Sequence, residues 1–225
     1  FLRGLELPTA EAHFTWNGTW LPREAAQLIR GDSGTVRSTL RRLASDHAIP
    51  VRPSIHALQC ADLRDYLPND ILTKVDRMTM AHGLESRAPL LNPEVADLGL
   101  SLPSHLRSHW RHGQKVALRR LCKRHFGAEH ARLPKQGFSI PIHRWLRQRG
   151  QKLLTELLDR NRVSAIPVLE PAAVEAAVKA HLSGQRALGW ELWGLMVLVV
   201  WYETRVISPP RLSQLPDAYD LLRVT

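Results

Sequence analysis

Apolar residues recur along most of this chain at three- and four-residue steps, the spacing that gathers them on one face of an α-helix. Strict alternation, the mark of a half-buried strand, is rare. "LPREAAQLIRG" predicts a helix with Pro22 near its start and Gly31 at its end. "SGTVRSTLRRLASDH" predicts a second, with Val36, Leu40 and Leu43 on one stripe. Pro50 and Pro53 interrupt the pattern before a helix through "IHALQCADLRDYL". Further on, "NPEVADLGLSLP" reads as a short helix stopped by Pro103, and "GQKVALRRLCKRHFG" as a long one between Gly113 and Gly127. A loop at "LPKQGFSIPIHRWL" leads into an amphipathic run ending near Leu158. "EPAAVEAAVKAHLSG" starts on Pro171 and stops at Gly184, and a core helix follows over 188–205. The expectation is a mainly α protein of about eight helices with no internal repeat. Residues 1–207 form the helical portion, and 208–225, after Pro209 and Pro210, form a peripheral tail.

Composition narrows this picture. With 225 residues, 44% of them apolar, and dispersed charge, the chain has the makeup of a folded protein. It opens on Phe1 without a basic and apolar leader, which predicts a piece of a longer polypeptide rather than a secretory precursor. Lys and Arg number 31 against 21 Asp and Glu, a formal charge of +10 that favours anionic partners. The basic clusters "TLRRLA", "LRRLCKRH" and "HRWLRQR" are spaced as solvated helix faces rather than as a nucleic-acid patch. Cys60 and Cys122 lie far apart without a CxxC pair, which fits a reducing cytoplasm. The apolar run 192–202 is shorter than the roughly 20 residues a membrane span needs, and reads as a buried helix.

The chemistry concentrates in "LPNDILTKVDRMTMAHGLESRAPLLN", residues 67–92. On a helix over 70–82, Ile71, Val75 and Met78 form an apolar stripe expected to face a core. Asp70, Lys74 and Arg77 share another stripe, and Asp76 lies on neither, flanked by Leu72, Thr79 and Met80. A carboxylate in that setting needs a partner, or its pKa rises. Gly83 suits a helix end. Pro89 biases Ala88 towards extended backbone, so Glu85 and Arg87 should point to one side. Such a pair could hold a substrate bearing amine and carboxylate, or simply bond to itself. In "LPKQGFSIP", Lys135 stands on a loop where its ammonium could reach phosphate oxygens. His105, His109 and His112 have helical spacing, but Pro103, Gly113 and the lack of a nearby acid argue for a polar surface, not a metal site.

Together these stretches resemble the C-terminal part of the synthetase domain of glutamine-hydrolysing asparagine synthetases. "YLPNDILTKVDRMTMAHGLESRAPLLN", "GQKVALRRL", "PKQGFSIPIHRWL" and "HLSGQRALGWELWGLMVLVVW" stand in that family's order, over residues 60–205. The resemblance implies a helical C-terminal lobe of an α/β, adenine-nucleotide α-hydrolase-like (PP-loop ATP pyrophosphatase) domain, whose strands lie mostly upstream. It implies ATP and magnesium, aspartate activated as an acyl-adenylate, and ammonia released from glutamine by a glutaminase domain. Lys135 matches the lysine that stabilises the phosphates. Asp70, Asp76, Arg77, Glu85 and Arg87 match the region lining the adenylate and aspartate site, while Lys115 and Arg119 match basic positions that could serve the fold alone.

Two positions depart from the family's wording: Asn92 where "PFLD" has an acid, and Leu133 where an Arg precedes "PKQGF". No S-G-G-x-D-S pyrophosphate loop and no N-terminal Cys domain stand in these residues, so the chain alone is expected to be inactive, its magnesium ligands and glutaminase supplied from elsewhere. A β-lactam synthetase-like or peptide-cyclising relative, or a non-catalytic basic helical module, are the alternatives.

Overall fold

The computed structural model describes residues 4–31, 33–109, 111, 113–134 and 140–209. They are mainly helical, with thirteen α-helices and one two-stranded ribbon among the described residues. In chain order the helices are α1 (Thr9–Asn17), α2 (Pro22–Leu28), α3 (Ser33–Asp46), α4 (Ile55–Arg64), α5 (Thr73–Met80), α6 (Pro93–Ser101) and α7 (Ser104–Arg107). Strands β1 (Ser108–His109) and β2 (Gly113–Gln114) pair antiparallel, and α8 (Val116–Arg132) follows. The remainder are α9 (Ile142–Arg147), α10 (Gln151–Leu157), α11 (Arg160–Ser164), α12 (Pro171–Leu182) and α13 (Gly189–Tyr202). Several pieces are shorter than the periodicity predicts, and two glycines mark where the pattern departs. The run towards Leu158 divides into α9 and α10 at Gly150, whose missing Cβ leaves room for the Trp145 ring; a Cβ there would lie 2.8 Å from that ring. Gly127, at φ 88°, interrupts α8 where the sequence placed the helix end.

The chain forms two compact units, one of Phe1–Asn17 with Leu40–Ser139, the other of Gly18–Thr39 with Ile140–Thr225. The second unit holds the larger core. Leu146, Leu154, Val174, Leu192 and Val199 are fully buried there, with Ile142, Val163 and Ile166 beside them. Helix α13 packs against α9, α10 and α12. Its neighbour α12 begins on Pro171 and ends before Gly184, at φ 82°, as the sequence predicts. At the edge, Leu28 and Glu170 are joined by a backbone bond of 2.8 Å, and Arg162 grips Glu203 with two guanidinium nitrogens.

Helix α13 is not buried all round, as its composition suggested. Leu192, Leu195, Met196 and Val199 face the core, whereas Trp190, Val197 and Trp201 are exposed. No helix of the described residues is long and apolar enough to cross a membrane.

The first unit has a small core of Ala10, Ala44, Ile49 and Ala61, with Phe14 and Leu58 packed on it. Polar contacts supplement it: His13 Nε2 lies 2.8 Å from Asp62 Oδ1, and Arg41 Nε donates to Glu11 Oε1 at 3.2 Å. From residue 62 to residue 115 none of the described residues is buried. The candidate site lies in that stretch.

Candidate functional site

The site segment begins with a wide turn. Residues Leu67–Leu72 form a π-helix, and Thr73 Oγ1 reaches back to the carbonyl of Pro68 at 2.7 Å. Turns of this type interrupt α-helices most often near functional positions. Here the π-turn takes the first three residues of the helix expected over 70–82, which continues as α5, so Asp70 precedes α5 in a looser winding. Asp70 still meets Lys74, Nζ to Oδ1 at 3.3 Å.

Helix α5 does not bury the expected stripe. Ile71 is half-buried, Val75 is 37% exposed and Met78 63% exposed. The stripe expected to face a core is therefore not buried, and of its three residues only Ile71 lines the apolar cavity beside the segment. Asp76 and Arg77 are exposed too. Water therefore solvates the Asp76 carboxylate, and the burial that would have demanded a partner does not arise.

The end of α5 follows from Gly83. Its φ of 65° is left-handed, which glycine adopts at little cost. That conformation lets Gly83 N–H donate to Met80 O and Leu84 N–H to Thr79 O, each at 3.0 Å. These are the two bonds of a Schellman ending, which satisfies carbonyls the helix would leave open. Beyond it the chain is extended, with Ala88 at φ −105°, ψ 98°. As alternation predicts, Glu85 and Arg87 point the same way and form an ion pair. Both side chains are largely exposed, at 70% and 83%. An exposed pair of this kind contributes about 0–1 kcal/mol, so either partner can be drawn to a ligand at small cost.

Asn92 closes the segment. Its side-chain oxygen accepts from Glu94 N–H at 3.0 Å and caps α6. The expected family acid can make the same bond, so this departure conserves the local geometry.

Beside the segment lies a largely apolar cavity of about 500 Å³. Leu63, Tyr66, Ile71, Leu91 and Leu100 line it, with Gln59, Arg107 and Lys115 among its polar groups. None of Asp70, Asp76, Arg77, Glu85 and Arg87 does. Arg107 was not foreseen from sequence. It donates to Gln59 Oε1 at 2.6 Å and approaches His56 Nδ1 at 3.3 Å, and its buried Nε has no acceptor among the described residues. Its partners lie 48 and 51 residues earlier, and no local pattern signals such a contact.

The basic positions around α8 are tied in through the backbone of Lys115 and the side chain of Arg119. Lys115 is left-handed, at φ 60°, and its N–H donates to Arg107 O at 2.8 Å. Arg119 joins the two ends of the α8 segment, donating from Nε to Gln114 O at 3.2 Å and from NH1 to Ala131 O at 2.7 Å. Leu133, the other departure, caps that helix and is exposed. Lys135 and His112 lie outside the described residues. His105 is in α7 and His109 in β1, so the helical spacing of the three histidines does not correspond to one helix face. Among the described residues no three His, Cys, Asp or Glu side chains gather as a metal would require.

Fold and site together describe a mainly helical protein that carries an exposed, charge-bearing segment at residues 67–92. The asparagine synthase family model matches residues 7–203, and the chain belongs to that family. A provisionally named glutamine-hydrolysing asparagine synthetase of Mycobacterium tuberculosis is 34% identical over 145 residues, 64% of this chain and 22% of that protein. The protein of the same name in Mycobacterium bovis matches equally. The Bacillus subtilis glutamine-hydrolysing asparagine synthetase 1 is 25% identical over 166 residues, 72% of this chain and 26% of that protein. The matched region thus spans about a quarter of these relatives' length. No solved structure matches the chain.

Proposed function

We propose that this chain is a helical part of an ATP-dependent ligase that makes asparagine from aspartate and glutamine-derived ammonia. A carboxylate is a poor electrophile. Attack of its oxygen on the α-phosphorus of ATP displaces pyrophosphate and leaves an acyl-adenylate; ammonia then attacks the acyl carbon, and AMP departs with the oxygen. The catalytic demand is positive charge around the phosphates and opposite charges to orient a zwitterionic amino acid.

The observation that carries this reading is the Glu85–Arg87 pair, exposed past the Schellman ending of α5 within the family motif. Glu85 is suited to receive the ammonium of aspartate and Arg87 its α-carboxylate, each exchanging one weak ion pair for another. Asp70, Asp76 and Arg77 lie just before them on the same exposed stretch. Lys135 takes the phosphate role by resemblance. The described residues do not fit a magnesium site, so no step is assigned to the metal here.

The uncovered apolar residues Val75, Met78, Met80 and Leu84 support a second part of the reading. A run of exposed large apolar side chains marks an interface. We place the remaining synthetase and glutaminase segments of the longer family members against this face, in cis or in trans, where they would complete an α/β nucleotide-binding domain.

The experiment is aspartate-dependent exchange of labelled pyrophosphate into ATP, made with the protein as the cell produces it. Lys135→Ala should nearly abolish exchange while glutamine hydrolysis stays measurable, and Glu85→Gln should lower exchange by about a hundredfold, as losing one charge-stabilising group does. Near-normal exchange in both variants would overturn the assignment.

A further inference from the structure

Two imidazoles meet at the start of α13, far in sequence from the proposed site. His181, at the end of α12, accepts at Nδ1 from Leu188 N–H at 3.1 Å. His143, in α9, accepts at Nδ1 from Gly189 N–H at 2.8 Å. Leu188 and Gly189 are the capping and first residues of α13, where backbone donors have no intrahelical acceptor. The two rings lie 6.1 Å apart. Gly189 is required for this approach, because a Cβ there would stand 2.7 Å from His143 Nδ1 and 2.9 Å from its backbone. Capping by Nδ1 fixes the neutral tautomer with hydrogen on Nε2. His181 is fully buried, and its Nε2 has no acceptor among the described residues.

We infer that His181, with His143 beside it, forms a neutral-imidazole cap that makes the anchoring of α13 acid-sensitive. A proton on Nδ1 turns the acceptor into a donor that faces another donor. It also places positive charge at the positive end of the helix dipole. The surrounding charges reinforce this. Arg147, also in α9, donates to His181 O at 2.7 Å and to Arg186 O at 2.9 Å, which holds its guanidinium over the same corner. The nearby carboxylates are engaged elsewhere: Glu24 of α2 with Arg186, Glu175 of α12 with Lys179 and Arg160, Glu156 of α10 with Lys152, and Glu203 with Arg162 of α11. Glu191 is buried in the first turn of α13 itself.

Burial first, then the charges of Arg147 and His143, holds the His181 pKa below the ordinary histidine value, outweighing backbone hydrogen bonds to Arg186 and His143 that act in the opposite direction. A histidine depressed in the folded state is protonated more readily by the unfolded chain. The stability it contributes is complete above the unfolded value of about 6.5 and falls as the pH drops below it.

The test is urea unfolding of the full chain, followed by tryptophan fluorescence, at pH 7.5, 6.5 and 5.5. Trp190, Trp193 and Trp201 on α13 report the helix directly. The unfolding constant should rise from pH 6.5 to 5.5 by up to about fivefold, the linkage limit for one proton whose unfolded pKa is about 6.5. His181→Asn, which keeps an acceptor near Nδ1 but cannot titrate, should remove that increment. A wild-type constant that does not change over this range, or a His181→Asn protein with the wild-type slope, overturns the inference. Where the variant does not fold, the imidazole nitrogen resonances of the wild type decide. His181 should titrate below the ordinary histidine value and carry its proton on Nε2 when neutral, and a His181 that titrates at or above the ordinary value overturns the inference.

Discussion

Asn92 shows what one side chain can reveal once its partner is known. By resemblance alone its replacement of an acid could have signalled a different substrate. Its bond to Glu94 N–H makes it a helix cap, a duty that Asp performs as well. Asn92→Asp should therefore leave the urea midpoint nearly unchanged, whereas Asn92→Ala should destabilise the first unit by about 1 kcal/mol. Equal losses in the two variants would mean that the cap is not what Asn92 supplies. Glu85 and Arg87 were legible for a similar local reason, since Pro89 and Gly83 fix the backbone around them. Arg107 and the His143–His181 pair were not legible, because their contacts depend on residues 38 to 51 positions away.

At the scale of elements, periodicity located most helices, and Gly83, Gly127, Pro171 and Gly184 marked real ends or breaks. It misjudged what covers them. The stripe of Ile71, Val75 and Met78 was expected to face a core, but a pattern cannot say whether another element lies over it. Helix α13 erred in the same direction, since uniformly apolar composition looks buried on every side. Glycine supplies a sharp contrast between elements. Gly189→Ala forces a methyl against His143 and should cost the second unit about 1–3 kcal/mol. Gly99→Ala, in α6 with open space around it, should be neutral or stabilise by up to about 1 kcal/mol. Thermal or urea unfolding of the two variants checks this, and equal effects would contradict the close approach at Gly189.

For the whole molecule, the two units carry unequal cores, and the segment 67–92 lies in the one with the smaller core. The relatives extend well beyond the region they share with this chain. The formal charge of +10 suits anionic substrates, although charge alone does not choose between ATP and other polyanions. The central claim is an acyl-adenylate of aspartate. Its most direct test supplies the protein with aspartate bearing 18O in the side-chain carboxylate, together with ATP and ammonia, and examines the nucleotide product by mass spectrometry. Asparagine and AMP carrying one 18O on its phosphate are the expected products. Unlabelled AMP, or ADP with labelled phosphate, would contradict it.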